Sequence, residues 1–384
     1  MDQALFGGEK TGELVPTIED MLAFVPNDLP PKLDLNCLIQ EFGEASAALG
    51  GLKEISSTIT NPYMVIRPLQ RNEALRSSAM EGTFSTADNL AIVEAYDSPT
   101  ATEADREVLN YIRAIDFAEE QIRELPISHR VIRGMHAVLL RNAGKTRGSN
   151  KRPGEYKIHQ NWIGALKIKN ARFIPPPPKE ASDCLDKLES FINRGETTYP
   201  ALIEAGLTHY QFETIHPFGD GNGRVGRMLI TLQLMTSGLL DKPILYVSPF
   251  IEIHKDEYID SMFEVSTSGN WERWLRFFLR AVTESCKQTS ATIVRLNDLQ
   301  SDFRARIQNN TKSVSALTIS DHLFERPVIS ISEAAKVSVT SYQSAKKNIE
   351  QLVRLGILRE IIGFENPKLF WAKDVIDVSD GVQR

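Results

Sequence analysis

A chain of 384 residues is long enough for two or three domains, and 42% hydrophobic with 24% charged residues argues for folded cores over disorder. The formal net charge of -6 gives no overall attraction for nucleic acid or anionic membrane, so any basic surface must be local. Cys37, Cys184 and Cys286 lie far apart, lack metal-ligand spacing and cannot all pair, which points to reduced thiols. The opening MDQALFGGEKTGELVP carries acids where a secretory signal carries bases, and no stretch nears the roughly 20 apolar residues that span a bilayer. The expectation is a cytoplasmic protein without a membrane partner.

In chain order, RNEALRSSAMEGT (Arg71 to Thr83) is a good helix former with Gly82 as its C-terminal stop. Ala101 to Arg123 places Val108, Ile112, Ile115 and Ala118 at helical spacing, and Ser128 is expected to cap a helix running through Leu140. Between Tyr156 and Ile174, KIHQNWIG, a polar turn and ARFIP predict two short strands folded as a hairpin, here termed the flap. Pro175 to Pro178 predict a rigid extended connector. Helices follow at Ser182 to Asn193, closed by Gly195, and at Ala201 to Ile215, entered after Pro200.

A long helical pattern runs from about Trp271 to Arg306. Beyond Ser313, ISISEAAKVSVTSYQSAKKNIEQLVRLGIL reads helix, turn, helix, ended by Gly356, and REIIGFENPKLFWA reads as a two-stranded wing. The predicted fold is therefore mainly α, with a β-hairpin flap and a C-terminal winged helix-turn-helix. Its expected divisions are 1–100 with the helix at about 71–82, a core over 101–285, a helical linker over 286–312 and the winged helix over 313–384.

The chemistry concentrates in HPFGDGNGRVGRMLITL, from His216 to Leu232. Gly221, Gly223 and Gly226 allow backbone angles at which successive N–H groups can point inward as an anion nest. Val225, Leu229 and Leu232 form an apolar stripe, so the loop leads into a helix whose positive N-terminal end faces the same anion. Arg224 and Arg227 add guanidinium forks suited to phosphate oxygens. Asp220 is a poor phosphate ligand beside these cations but a good oxygen ligand for Mg²⁺ bridging phosphates. His216, ending the preceding helix, is a candidate general base.

These twelve residues, His216 to Arg227, match the HPFxDGNGRxGR signature of the Fic family without interruption. The resemblance implies a Fic helical core that transfers AMP from ATP to a Tyr, Thr or Ser hydroxyl of a target protein or of the chain itself. On that reading His216 deprotonates the hydroxyl and Asp220 holds Mg²⁺. Asn222, Arg224 and the loop amides, including those of Gly221, Gly223, Val225 and Gly226, hold the α- and β-phosphates, and Arg227 holds the γ-phosphate.

Read alone, Glu81 is a surface acid at a helix end. Ser77-x-x-x-Glu81-Gly82 is similar to the inhibitory motif of Fic proteins, which implies a pairing of Glu81 with Arg227 that denies the γ-phosphate its partner. Trp162, Ile163 and Gly164 resemble the family's flap residues, which pair with the target's backbone; the other reading is a hairpin that covers core. Tyr258 resembles a position lying against adenine and is otherwise core with Phe263. FVPNDLPPKLDL looks like the family's N-terminal extension.

Two rival readings stay open. In one, the chain is a DNA-binding regulator whose recognition helix carries Ala345, Lys346, Lys347 and Arg354, for which a salt-sensitive mobility shift is the test. In the other, Glu81 orients a water and the enzyme removes AMP. The oligomeric state, homo-oligomer included, is left open.

Overall fold

A computed structural model describes residues 1–6, 11–57, 59, 61–96, 101–142 and 152–381. Helix dominates it. At the centre lie α7 (Ala201–Ile215) and α8 (Asn222–Thr236), packed side by side and buried along almost their whole length. Both are enclosed on nearly every face, so their buried polar side chains must find partners inside the protein. Around them stand α4 (Glu103–Gln121), α5 (His129–Leu139) and α6 (Pro178–Ile192).

The longest element, α11 (Trp271–Asn310), has 40 residues and starts where the Asn270 side chain accepts the Arg273 N–H at 3.2 Å. Its first half packs along α1 (Ile39–Ser57) and against α7, where the Trp274 indole donates to the Gly206 carbonyl at 2.9 Å. Its second half buries Phe303 and Ile307 against the C-terminal unit. One helix thereby joins both halves of the chain.

That C-terminal unit contains α12 (Val314–Glu325), β3 (Val328–Ser330), α13 (Ile331–Val337), α14 (Tyr342–Arg354), β4 (Arg359–Glu365), β5 (Lys368–Trp371) and α15 (Lys373–Ser379). Side chains of Ser313, Ser330 and Ser341 cap α12, α13 and α14, and Gly356, at φ 72°, turns the chain out of α14. The strands form one antiparallel sheet in the order β3-β5-β4, a winged helix with one strand more than the sequence predicts. Ala345 belongs to its core, leaving Lys346, Lys347 and Arg354 as the exposed members of the expected recognition set.

Helix α2 (Tyr63–Met80) begins earlier than its sequence pattern suggests and lies between the two halves. One side meets α4, α8 and α9 (Ser248–Ile253); the other meets α12 and α15. On the core side, buried Glu73 accepts from the Tyr111 hydroxyl at 2.8 Å and the Ser248 N–H at 3.0 Å. On the other side Arg71 pairs with Glu94 at 2.6 Å and donates to the Glu325 carbonyl, Asn72 donates to the Ser379 carbonyl at 2.8 Å, and Arg76 pairs with Asp380 at 2.9 Å.

Arg71→Ala strands the largely buried Glu94 carboxylate. We expect a loss of about 2–3 kcal/mol in denaturant unfolding, at the low end for a broken buried pair because Glu94 keeps some water. A loss under about 0.5 kcal/mol would place this pair with inconsequential surface contacts.

Several local expectations change. The flap holds no strand pair: Ile163 and Phe173 form a single antiparallel bridge, with a 3-10 turn at Ile168–Asn170 between them. Its outer backbone is engaged elsewhere, because the Ile174 carbonyl accepts from Phe24 of β2 (Leu22–Pro26) and Gln160 donates to the Pro175 carbonyl. The hairpin is instead N-terminal, β1 (Gly12–Pro16) paired with β2, and it buttresses the flap. Pro178 opens α6, so the proline run ends as a helix start, where a missing N–H costs nothing. Ser128 precedes α5 without a side-chain cap bond. The three cysteines are free thiols, and no described helix is long and apolar enough to cross a membrane.

Candidate active site

The signature loop joins α7 to α8. His216 ends α7 at φ 48° and ψ 60°, a left-handed conformation that a residue with a β-carbon adopts only when its surroundings enforce it. The enforcement is visible. Asn161 donates to the carbonyls of His216 and Phe218 at 3.0 and 3.1 Å, and the buried Lys157 ammonium donates to the Ile215 carbonyl at 3.2 Å and to Asn161 at 2.8 Å. The Asn222 side chain closes the loop on itself, accepting the Phe218 N–H at 2.8 Å and donating to the Phe218 carbonyl at 2.9 Å.

From the other side the His136 ring stacks on Phe218 at 3.7 Å. Its Nδ1 accepts the Gly154 N–H at 2.9 Å, so Nε2 carries the proton and donates to the Asp220 carbonyl at 3.0 Å. Burial pushes His136 down to about 4, which keeps it neutral in this structural role.

Two arginines leave α8 in different directions. Arg224 is fully buried and lies 3.5 Å from Glu107 and from Asp220. Arg227 is clasped by the end of α2, its Nε donating to the Ser77 hydroxyl at 2.8 Å and its Nη2 to the Ser77 carbonyl at 3.0 Å and to Glu81 at 2.9 Å. Burial alone would raise the Glu81 pKa, but Arg227, helped by Arg224, holds it below the ordinary carboxylate value. Gly223 makes room for the pair, since a β-carbon there would come within 2.2 Å of the Glu81 carboxylate. Helix α2 stops at Gly82, φ 77°, and the Lys255 ammonium donates to its Met80 carbonyl at 2.7 Å.

Beside this pair opens a cavity of about 360 Å³, within the size range of small-molecule sites. His216, Asp220, Gly221, Asn222, Gly223, Arg227, Tyr258, Glu81 and the flap residue Ile163 all line it. Val225 turns into the hydrophobic core, and Gly226 packs on Glu213 of α7, so neither lines the cavity. Trp162 bonds back to the Ala165 carbonyl at 3.0 Å, and Gly164, at φ 88°, provides the flap's turn. Tyr258, on α10 (Lys255–Ser268), lines the cavity and is buried, with its hydroxyl 2.7 Å from His209 Nε2.

His216 presents a neutral imidazole to the cavity. Its Nδ1 lies 3.2 Å from the Glu213 carbonyl, which can only accept, so Nδ1 carries the proton and Nε2 keeps its lone pair. Burial, with the Lys157 charge, pushes His216 down to about 4, and the ring is neutral at pH 7. Burial also pushes Lys157 down to about 7. Sequence periodicity missed Lys157, Asn161, His136 and Glu213, because Lys157 and Asn161 belong to a segment without a repeat, while His136 and Glu213 read as ordinary positions on packed helices.

Comparison with known proteins identifies the family and the fold. The Fic/DOC family N-terminal model matches residues 39–120 and the Fic/DOC family model matches residues 126–234. A probable protein adenylyltransferase of Aquifex aeolicus is 40% identical over 74 residues, 19% of this chain and 23% of that protein. The protein adenylyltransferase Fic of Aedes aegypti is 29% identical over 125 residues, 32% of this chain and 22% of that protein. The matched stretches thus span under a quarter of these curated relatives. A Fic family protein from Desulfovibrio desulfuricans has the same fold, with a TM-score of 0.58 at 16% identity, covering 90% of this chain and 98% of that one. The chain belongs to the Fic/DOC family.

Proposed function

We propose that the chain is a protein adenylyltransferase held off by its own Glu81, transferring AMP from ATP to a hydroxyl side chain of a target protein or of itself. The observation that carries this reading is the coexistence, in one cavity, of a neutral His216 with Nε2 as its acceptor and an arginine, Arg227, occupied by Glu81. The family relatives named adenylyltransferase support the same chemistry.

In this mechanism the N-terminal end of α8 and Arg227 bind the triphosphate. The target hydroxyl gives its proton to His216 Nε2 as its oxygen bonds to the α-phosphorus. The bond from that phosphorus to the bridging oxygen breaks, and pyrophosphate leaves with the electron pair. Asp220 suits Mg²⁺, which takes one or two protein carboxylates and completes its shell with phosphate oxygens and water. When bound, Mg²⁺ supplies charge neutralisation of the leaving phosphates.

The test is intact-mass measurement of the Glu81→Gly protein after incubation with ATP and Mg²⁺, alone and with candidate targets. A gain of one adenylyl group supports the reading. Phosphate addition, or release of AMP from a pre-modified target with no addition, would replace it.

A further inference from the structure

Glu213 is a carboxyl for which the mechanism so far has no use. It sits one turn before His216 on α7 and lines the same cavity as Glu81 and Arg227. Its Oε1 is fully buried against Gly226, where a β-carbon would come within 2.2 Å. That Oε1 has no hydrogen-bond partner among the described residues, an expensive arrangement for a buried polar atom that favours the uncharged acid over the carboxylate.

The groups facing it are few. From α8 comes Arg227, from the end of α2 Glu81, and from α10 the Tyr258 hydroxyl; Lys255 and Arg172 line the same cavity, and His216 contacts the Glu213 backbone carbonyl. Glu81 and Glu213 are therefore two carboxyls beside one guanidinium. Like charges so placed cannot both ionise easily, and Glu81 holds the hydrogen bond to Arg227. Burial, reinforced by Glu81 and opposed by Arg227, pushes Glu213 up to about 8.

Resting on the adenylyltransferase reading, we propose that Glu213 is a positioning residue for the triphosphate, a neutral carboxylic acid beside Arg227 that donates its O–H to the phosphate oxygen taking the place of Glu81. A phosphate brings negative charge to the position Glu81 leaves, so the same electrostatics keep Glu213 protonated in the complex. With Glu81 displaced and no nucleotide present, the acid faces Arg227 without a competing carboxylate and its pKa must fall. Binding of ATP to that open form consequently draws a proton onto Glu213. An ionised Glu213 would instead repel the phosphate, so tight ATP binding is present below the pKa of the bound form and lost as pH rises through it.

The test uses the full chain carrying Glu81→Gly and His216→Ala, which keeps the cradle open without turnover. Calorimetric titration with ATP plus Mg²⁺, and separately with AMP, is run at pH 7 to 9 in buffers of different ionisation enthalpy. We expect proton uptake with ATP in the parent, none in Glu213→Gln, and ATP affinity that falls toward alkaline pH only when Glu213 is present. Glu213→Ala should weaken ATP about tenfold and leave AMP unchanged, while Glu213→Gln, whose amide can still donate, restores most of the loss.

Absence of proton uptake in the parent overturns the proposal, and so does equal weakening of ATP and AMP, which would place the contact on the nucleoside. The isosteric Gln variant keeps the result decisive if the Ala variant unfolds. A parent that binds neither nucleotide would overturn the adenylyltransferase reading itself, an outcome distinct from failure at Glu213.

Discussion

Glu81→Gly should raise AMP transfer by about ten- to a hundredfold. A charge-assisted hydrogen bond to a buried guanidinium is worth about 1.5–3 kcal/mol, and each 1.4 kcal/mol is a factor of ten. The substitution releases Arg227 from its contact at 2.9 Å while leaving both bonds from Arg227 to Ser77. The guanidinium thus stays in place for a phosphate. Glycine also removes the carboxylate that a γ-phosphate would have to approach. Incorporation of labelled AMP, measured at equal folded fraction by circular dichroism, checks this. Activity equal to or below that of the parent would mean that the Glu81 contact stabilises the fold without restraining catalysis.

His216→Ala, made in the Glu81→Gly background so that the loss is measurable, should lower transfer by about 10²–10⁴-fold, the usual contribution of a positioned general base. ATP affinity should change little, because the phosphate-facing groups belong to α8 and its loop. The same assignment fixes the acid side of the pH profile. The base must be neutral and its pKa is depressed to about 4, so the rate should stay level from pH 7 downward and fall only as pH approaches that value. A fall centred near pH 6.5 would show that the ring is more hydrated during catalysis than the closed structure implies. Unchanged labelling by the alanine variant would remove His216 from the reaction.

Much of this site could be read in the sequence because its chemistry is compressed into one run. The register from His216 to Arg227 specifies loop glycines, cations and a base at fixed offsets, and the coordinates bring His216, Asp220, Gly221, Asn222, Gly223 and Arg227 to one cavity. Glu81 needed the family pattern, since its partner lies 146 positions away and nothing local marks the contact.

Other features were illegible for physical reasons. The flap alternates like a hairpin, but its backbone hydrogen bonds go to β2 and to the loop, so one bridge remains where two strands are expected. Asn222 lines the cavity, and both ends of its amide are used on Phe218, a closure of the loop that no local sequence signal marks. The winged helix is legible in its helix-turn-helix pattern, its Gly356 stop and the alternation of its wing. Its seat on α2 was not, because Arg71, Asn72 and Arg76 look in sequence like any solvated helix face.

That seat makes a single rod the shared wall of two compartments. Whatever the C-terminal unit binds, if it distinguishes the clasped from the released position of α2, must shift nucleotide affinity by the same factor by which nucleotide shifts its own, since coupling free energy is mutual. Occupancy at one end of the molecule is then legible at the other without any messenger passing between them.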